Sequence, residues 1–144
     1  MENQFPLFQL KILIAEDSTD IRVLLHRVLE KQGASVTGAF DGADAVSQAV
    51  RIDFDLILMD LQMPNLSGSE AAIKIRAGGF EGPIIAMTGH SSDYVHDVES
   101  DFSASRSDHD KAFHKRENIF DGYLQKPVPH SHLIQTVLSF CNKI

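Results

Sequence analysis

Hydrophobic positions along the chain alternate between short continuous runs and stretches with helical spacing. Five apolar runs have the length of a β-strand: KILIAED (11–17), ASVTGAF (34–40), FDLILMD (54–60), PIIAMTG (83–89) and YLQKP (123–127). The third run is almost continuously apolar, which is typical of a strand whose two sheet faces are both covered by helices. The pattern therefore predicts a sheet built from five strands.

The stretches between these runs have the periodicity of amphipathic helices. The stretch that follows the first strand places five apolar residues on one helical face, namely Ile21, Leu24, Leu25, Val28 and Leu29. Ser18 or Thr19 is expected to cap the start of this helix, and Gly33 to end it. About five helices alternate with the five strands, which predicts an open, mostly parallel α/β sheet with right-handed crossovers.

Polar side chains stand at the carboxyl ends of four predicted strands. They are Glu16 and Asp17, then Asp60, then Thr88, then Lys126. In open α/β sheets, sites lie beyond these strand ends. Three carboxylates brought together repel one another unless a cation neutralises them, and oxygen ligands beside a phosphate favour Mg²⁺. We therefore expect a magnesium site at this edge of the sheet.

The lone acid that ends the third strand is the candidate nucleophile. Asp60 is positioned to accept a phosphoryl group and form an aspartyl phosphate. Mg²⁺ and Lys126 would offset charge on the transferred group, and the Thr88 hydroxyl would bind one of its oxygens. Pro127 makes the preceding peptide bond a candidate for the cis form.

Four sequence pieces, taken in order, resemble the receiver domain of two-component response regulators: ILIAED, LILMDLQMPNLSG, PIIAMTG and DGYLQKP. The resemblance covers roughly Lys11 to Phe140. It implies a flavodoxin-like (CheY-like) doubly wound, five-stranded parallel sheet of order 2-1-3-4-5. We expect a lead-in over residues 1–9 and a single receiver domain over 10–144.

The family's metal site maps onto four positions of this sequence. The resemblance implies that Glu16 and Asp17 are the acidic pair that holds Mg²⁺ and that Asp60 is the phosphoacceptor. It further implies that the backbone carbonyl of Gln62 is an additional metal ligand.

The family's switch residues also have counterparts. Thr88 resembles the switch hydroxyl, Lys126 the phosphate-binding lysine, and Tyr123 the aromatic residue that moves inward on phosphorylation. From the residues alone, Tyr123 is equally well explained as a half-buried strand tyrosine.

The resemblance implies a signalling role. A histidine kinase or a histidine phosphotransfer domain would supply the phosphoryl group. The chain would not be a classical enzyme, although it would catalyse its own phosphorylation and dephosphorylation at Asp60. The segment MDLQMPNLSG, followed by PIIAMTGHS, is most similar to receivers of hybrid sensor histidine kinases. A weak homodimer through the fourth helix, fifth strand and fifth helix would be consistent with the family.

The segment between Thr88 and Lys126 is longer than the resemblance leads us to expect. We place an insertion at about residues 91–107, between the fourth strand and the fourth helix. It would be either a lid over the phosphorylation pocket or a solvent-exposed extension of the fourth helix, and the sequence leaves both open.

Composition limits the remaining classes of function. Lys+Arg 13 against Asp+Glu 20 gives a net charge of −7, which disfavours direct binding to nucleic acid or to anionic membranes. The single Cys141 excludes an internal disulfide, and no run approaches the length of a membrane span. The N-terminus has no basic leader, so a cytoplasmic location is expected. There is no room for a DNA-binding output domain, so the chain would act through protein contacts or belong to a longer polypeptide.

Three alternatives stay open at this point. A small Mg²⁺-dependent phosphatase would need an acid near the nucleophile, whereas Gln62 stands two residues after Asp60. A flavodoxin-like cofactor binder would need a Gly-rich loop after the first strand, where AEDSTD stands. A degenerate receiver would serve only as a protein-interaction module, and the intact set of acids, Thr88 and Lys126 argues against it.

Overall fold

The computed structural model describes residues 5–89 and 119–141. Within these ranges one parallel sheet contains β1 (Lys11–Ala15), β2 (Ser35–Ala39), β3 (Leu56–Asp60), β4 (Ile84–Thr88) and β5 (Gly122–Gln125). The strand order is β2-β1-β3-β4-β5, and all four neighbouring pairs are parallel. The predicted order 2-1-3-4-5 is confirmed.

Four helices connect or follow these strands in the described ranges: α1 (Thr19–Lys31), α2 (Gly42–Arg51), α3 (Gly68–Ala77) and α4 (His130–Cys141). The first three begin at side-chain caps, which satisfy backbone N–H groups that would otherwise lack partners. Ser18, one of the two residues that the sequence offered, caps α1, and Ser67 forms a reciprocal capping box at α3. The insertion predicted at 91–107 and the helix expected after it lie outside the described residues.

Alternate side chains of each strand face opposite helical layers. Ile12 and Ile14 of β1 pack in the cluster that contains buried residues of α1 and α4, whereas Leu13 packs with residues of α2 and α3. This division follows from the two-residue period of a strand. Every residue of β3 and β4 is buried. The sheet is therefore covered on both faces, and the doubly wound architecture is confirmed.

The buried stripe of α1 is narrower than the sequence predicted. Leu25, Val28 and Leu29 are buried, but Ile21 and Leu24 are 36% and 49% exposed. Leu24 instead lines an open groove between α1 and α4. α1 packs on β1 and on β2, the strand at the edge of the sheet, and only part of its apolar face is buried.

Residues 5–10 pack against the turn that follows α1. Leu7 is fully buried, and its amide donates to the Gln32 carbonyl at 2.9 Å. The Ser35 amide donates to the Leu10 carbonyl at 2.8 Å. The domain boundary at residue 10 stays a prediction. The buried core includes Leu7, which belongs to the predicted lead-in over residues 1–9.

Arg76 joins two segments at the amino ends of the strands. Its guanidinium donates to the carbonyls of Phe80 (3.1 Å), Gly82 (2.6 Å) and Ile119 (2.7 Å), and to the Asp121 carboxylate (2.9 Å). We call this set of contacts the Arg76 clasp. It ties the loop between α3 and β4 to the chain that leads into β5, and so fixes where that chain enters the sheet.

Candidate functional site

Four strand ends meet at one edge of the sheet because all the strands are parallel. Glu16 and Asp17 directly follow β1, Asp60 is the last residue of β3, Thr88 is the last of β4, and Lys126 follows β5. Carboxylate oxygens of the three acids lie within 4.8 Å of one another. The structure therefore brings together the residues that the sequence placed at this edge.

The three acids differ in exposure. Glu16 and Asp60 are only 1% and 2% exposed, whereas Asp17 is exposed. A charged carboxylate is rarely buried without a partner, because it loses its hydration. The cluster is therefore a pocket with two buried carboxylates at its floor and one at its open rim.

Lys126 supplies the partner charge. Its ammonium Nζ lies 2.8 Å from Glu16 Oε1 and 3.2 Å from Asp60 Oδ1. Burial lowers the pKa of Lys126, but its contacts with Glu16 and the charge of Asp60 together outweigh burial, so its pKa is raised. The ammonium therefore stays protonated at physiological pH. The Lys126–Pro127 peptide bond is cis, the form for which Pro127 made it a candidate.

The pKa of the buried Glu16 carboxyl is raised above its ordinary value. Burial raises its pKa and the charge of Asp60 adds to this, while Lys126 and the Ser18 amide oppose it. Its Oε2 accepts the Ser18 N–H at 3.1 Å. Its Oε1 is fully buried and lies 2.8 Å from the Lys126 ammonium, with no second polar partner among the described residues. An oxygen with unmet acceptor capacity beside two further carboxylates fits a hard cation such as Mg²⁺.

The Asp60 carboxylate is oriented by a hydrogen bond from the loop that follows β3. The Gln62 amide donates to Asp60 Oδ1 at 3.1 Å, and the Leu61 amide donates to the Met87 carbonyl at 3.0 Å. These bonds place the Gln62 backbone at the pocket. Metal ligation by the Gln62 carbonyl stays a prediction.

The two predicted switch residues lie on β4 and β5. Thr88 is 3% exposed. Its backbone carbonyl accepts a hydrogen bond from the Lys126 amide at 2.7 Å, so the backbones of the two residues are directly linked. Tyr123 is half-buried and its ring centroid lies 5.8 Å from that of Phe120. The structure is compatible with a half-buried strand tyrosine, and the switch roles stay predictions.

Gly68 is a residue that the sequence did not single out for the site. It begins α3, and a Cβ at this position would collide with the Asp60 carbonyl oxygen and lie 2.8 Å from Leu61 Cα. The signal available in the sequence was a glycine at the predicted first turn of a helix, where other residues are preferred. The helix can approach the Asp60 backbone only because this position has no side chain.

We expect Gly68→Ala to destabilise the protein by about 1–3 kcal/mol, the usual cost of forcing extra volume into a packed region. Urea unfolding of the metal-free protein measures this free energy. Gly78→Ala is the matched control, because the nearest atom to its new Cβ is 3.5 Å away. Equal effects of the two substitutions would contradict the packing argument.

No helix within residues 5–89 and 119–141 combines the length and apolar character that a membrane crossing requires.

Comparison with known proteins identifies relatives for this architecture. The family model for the response regulator receiver domain matches residues 12–138. The chain is 43% identical over 82 residues to the transcription factor SKN7 of Candida albicans, covering 57% of this chain and 15% of that protein. It is 35% identical over 136 residues to hybrid signal transduction histidine kinase I of Dictyostelium discoideum, covering 88% of this chain and 7% of that protein. The chain thus spans only a small part of these curated relatives.

A solved structure has a similar fold. The receiver domain of a sensor histidine kinase from Pseudomonas aeruginosa, solved with a magnesium ion coordinated in its active-site cleft, superposes with a TM-score of 0.74 at 28% identity. The match covers 94% of this chain and 99% of that one. With the family model matched over nearly the whole chain, this protein belongs to the response regulator receiver domain family.

Proposed function

We propose that this chain is the phosphoacceptor domain of a two-component phosphorelay, which receives a phosphoryl group on Asp60 in the presence of Mg²⁺ and switches conformation to control a partner. The observation that carries the proposal is a buried Asp60 whose carboxylate lies 3.2 Å from the Lys126 ammonium and beside the carboxylates of Glu16 and Asp17. A nucleophile, a fixed cation and oxygen ligands for a metal thus converge on one pocket.

Asp60 would perform the covalent step. A carboxylate oxygen forms a bond to phosphorus while the bond from phosphorus to the donor histidine nitrogen breaks, and the nitrogen keeps the electron pair. Mg²⁺, held by Glu16, Asp17, Asp60 and the carbonyl of Gln62, would neutralise charge on the phosphoryl oxygens. The Gln62 N–H bond to Asp60 Oδ1 holds the carboxylate in position before the donor arrives.

Lys126 and Thr88 would then bind the phosphoryl group. The ammonium is already within 3.2 Å of Asp60, so it is placed to contact an oxygen of the new phosphoryl group. The Thr88 hydroxyl would bind another oxygen, and Tyr123 would move inward. The phosphorylated protein would favour a state that is minor in the unmodified protein, which is a shift in population.

The donor would be a histidine kinase or a histidine phosphotransfer domain, and the similarity to a hybrid histidine kinase supports this class. The chain would work in the cytoplasm as a substrate that assists its own phosphorylation and dephosphorylation. It would not bind nucleic acid or membranes directly, which its net charge of −7 supports. A homodimer stays a prediction, because the expected face includes residues outside the described ranges.

The alternatives receive less support. A phosphatase would need a general acid or base near the nucleophile, and Gln62 cannot serve as one. A degenerate receiver would not be expected to keep Lys126 paired with both buried acids at 2.8 and 3.2 Å.

A small phosphodonor tests the proposal. On incubation with acetyl phosphate we expect Mg²⁺-dependent formation of one acyl phosphate per chain, detected by intact mass and removed by hydroxylamine. Excess EDTA should prevent the modification. Equal modification with and without Mg²⁺, or none under saturating donor and metal, would contradict the proposed function.

A further inference from the structure

Arg22 contacts the backbone of the turn that carries the first two acids. It lies in α1, and its Nη1 donates to the carbonyl oxygen of Glu16 at 2.7 Å. Its Nη2 lies 3.5 Å from the Thr19 hydroxyl. A guanidinium bonded to a carbonyl at this distance is a strong, directional contact. It reaches the residue that supplies the buried carboxylate of the pocket.

The Glu16 backbone lies just beyond the sheet, so its position depends on such contacts. β1 ends at Ala15, and the Glu16 amide donates to the Ala39 carbonyl at 3.0 Å. On the other side of the residue, the carbonyl accepts the Arg22 bond, and the Glu16 side chain accepts the Ser18 amide at 3.1 Å. Arg22 thus holds the first peptide after the last sheet contact, where the chain turns to place Asp17 at the rim.

Gly38 in β2 provides the surface on which Arg22 rests. A Cβ at Gly38 would lie 3.1 Å from Arg22 Cδ and 3.5 Å from both its Cγ and its Nε. The aliphatic part of Arg22 therefore lies directly against the strand backbone. A glycine inside a strand weakens the strand and commonly marks a close approach of other atoms, which is the case here.

We propose that Arg22, seated on Gly38, is a positioning residue that holds the turn from Glu16 to Ser18 so that the carboxylates of Glu16 and Asp17 face Asp60. The inference rests on the proposed function, because it assigns Arg22 a part in forming the metal and phosphorylation pocket. Arg22 acts through the backbone and does not itself contact the phosphoryl group or the metal.

The direction in which removing Arg22 changes Mg²⁺ affinity distinguishes a positioning role from a purely electrostatic one. A guanidinium near a cation site repels the cation, so if Arg22 acted only through its charge, removing it would tighten Mg²⁺ binding. If it positions the acids, removing it weakens binding. Residues that orient metal ligands without touching the metal typically contribute about 10–100-fold to metal affinity.

The first measurement compares Arg22→Ala with Arg27→Ala. Arg27 is exposed on the same helix, so the control removes the same charge and leaves the turn untouched. The chain has no Trp, so Mg²⁺ titration is followed by amide chemical shifts. We expect about tenfold weaker binding for Arg22→Ala and little change for Arg27→Ala. Unchanged or tighter binding by Arg22→Ala would overturn the proposal.

The second measurement is a double-mutant cycle with Gly38→Ala. In the wild type the added methyl group would lie 3.1 Å from Arg22 Cδ, so we expect the side chain to shift by a few tenths of an ångström and Mg²⁺ binding to weaken. In the Arg22→Ala background the methyl group fills vacated space, so it should cause no further loss. Effects that simply add would show that the two residues act independently and would contradict the inference.

A third measurement does not depend on metal or phosphorylation. In EDTA, the Ser18 amide should exchange with solvent several-fold faster in Arg22→Ala than in Arg27→Ala, because the turn loses its support. Slow exchange retained in Arg22→Ala would refute the positioning role even where Mg²⁺ binding is normal. If the wild type bound no Mg²⁺ while this exchange difference appeared, the proposed function would fail and the structural role of Arg22 would stand.

Discussion

Replacing Asp60 by Asn will leave the protein folded and unable to accept a phosphoryl group. The amide matches the carboxylate in size and can still accept the Gln62 N–H at its oxygen, so the loop keeps its main contact. An amide is not a competent nucleophile toward phosphorus, so no acyl phosphate forms. Intact mass after incubation with acetyl phosphate and Mg²⁺ should show only unmodified chain.

The matched control is Asp53→Asn. Asp53 is exposed and lies before β3, at the opposite end of the strand from Asp60, so this variant should be modified as the wild type is. Circular dichroism of both variants would verify that they are folded. Modification of Asp60→Asn at the wild-type level would remove Asp60 as the acceptor.

Replacing Lys126 by Met will cause the largest loss of stability that we expect from a single substitution at the pocket. The methionine keeps most of the aliphatic length but leaves the nearly fully buried carboxylates of Glu16 and Asp60 without their cation. Removing one partner of a buried ion pair typically costs about 3–5 kcal/mol. Protonation of Glu16, whose pKa is raised by burial, limits this loss, so we expect about 3 kcal/mol in urea unfolding at neutral pH in EDTA.

The pH dependence of that loss has a definite sign. The pKa of Glu16 is already raised above the ordinary value of 4.5 in the folded protein, mainly by burial, and losing Lys126 would raise it further. A carboxyl group with a raised folded pKa contributes stability that is present at low pH and lost as pH rises through the folded pKa. The stability difference between wild type and Lys126→Met should therefore shrink as pH is lowered toward 4.5.

Lys11→Met is the control for this substitution. Lys11 is exposed at the beginning of β1, at the far end of the sheet from the pocket, and its loss should change stability by less than about 0.5 kcal/mol. Mg²⁺ should restore part of the stability of Lys126→Met, since a bound cation stabilises the state that holds it. A loss of the same size at every pH would contradict the electrostatic account.

The architecture and the pocket were predictable because both follow from the ends of apolar runs. Once the runs are placed in a parallel sheet, their carboxyl ends must lie together, so Glu16, Asp60, Thr88 and Lys126 converge whatever the details of packing. The strand order 2-1-3-4-5 does not follow from the runs themselves. It came from the family resemblance, and the structure confirms it.

Other features could not be predicted, because they depend on which atoms approach one another across the sequence. Leu24 fits the apolar period of its helix yet is 49% exposed, since periodicity does not show how far the sheet extends beneath a helix. Leu7 lies in a segment without periodicity and is fully buried. The contact of Arg22 with Gly38 joins a helix to an edge strand, and nothing in either segment alone indicates the other.

The Arg76 clasp has a practical consequence for engineering. Because β4 and β5 are parallel, the chain that leaves Thr88 must return to the opposite end of the sheet before β5 begins. At about 3.3 Å per residue, the length of the strand is roughly 13 Å. The clasp holds the returning chain at Ile119 and Asp121. Arg76 and Asp121 should therefore be kept when the connection between β4 and β5 is redesigned, because their contact fixes where the chain enters the sheet.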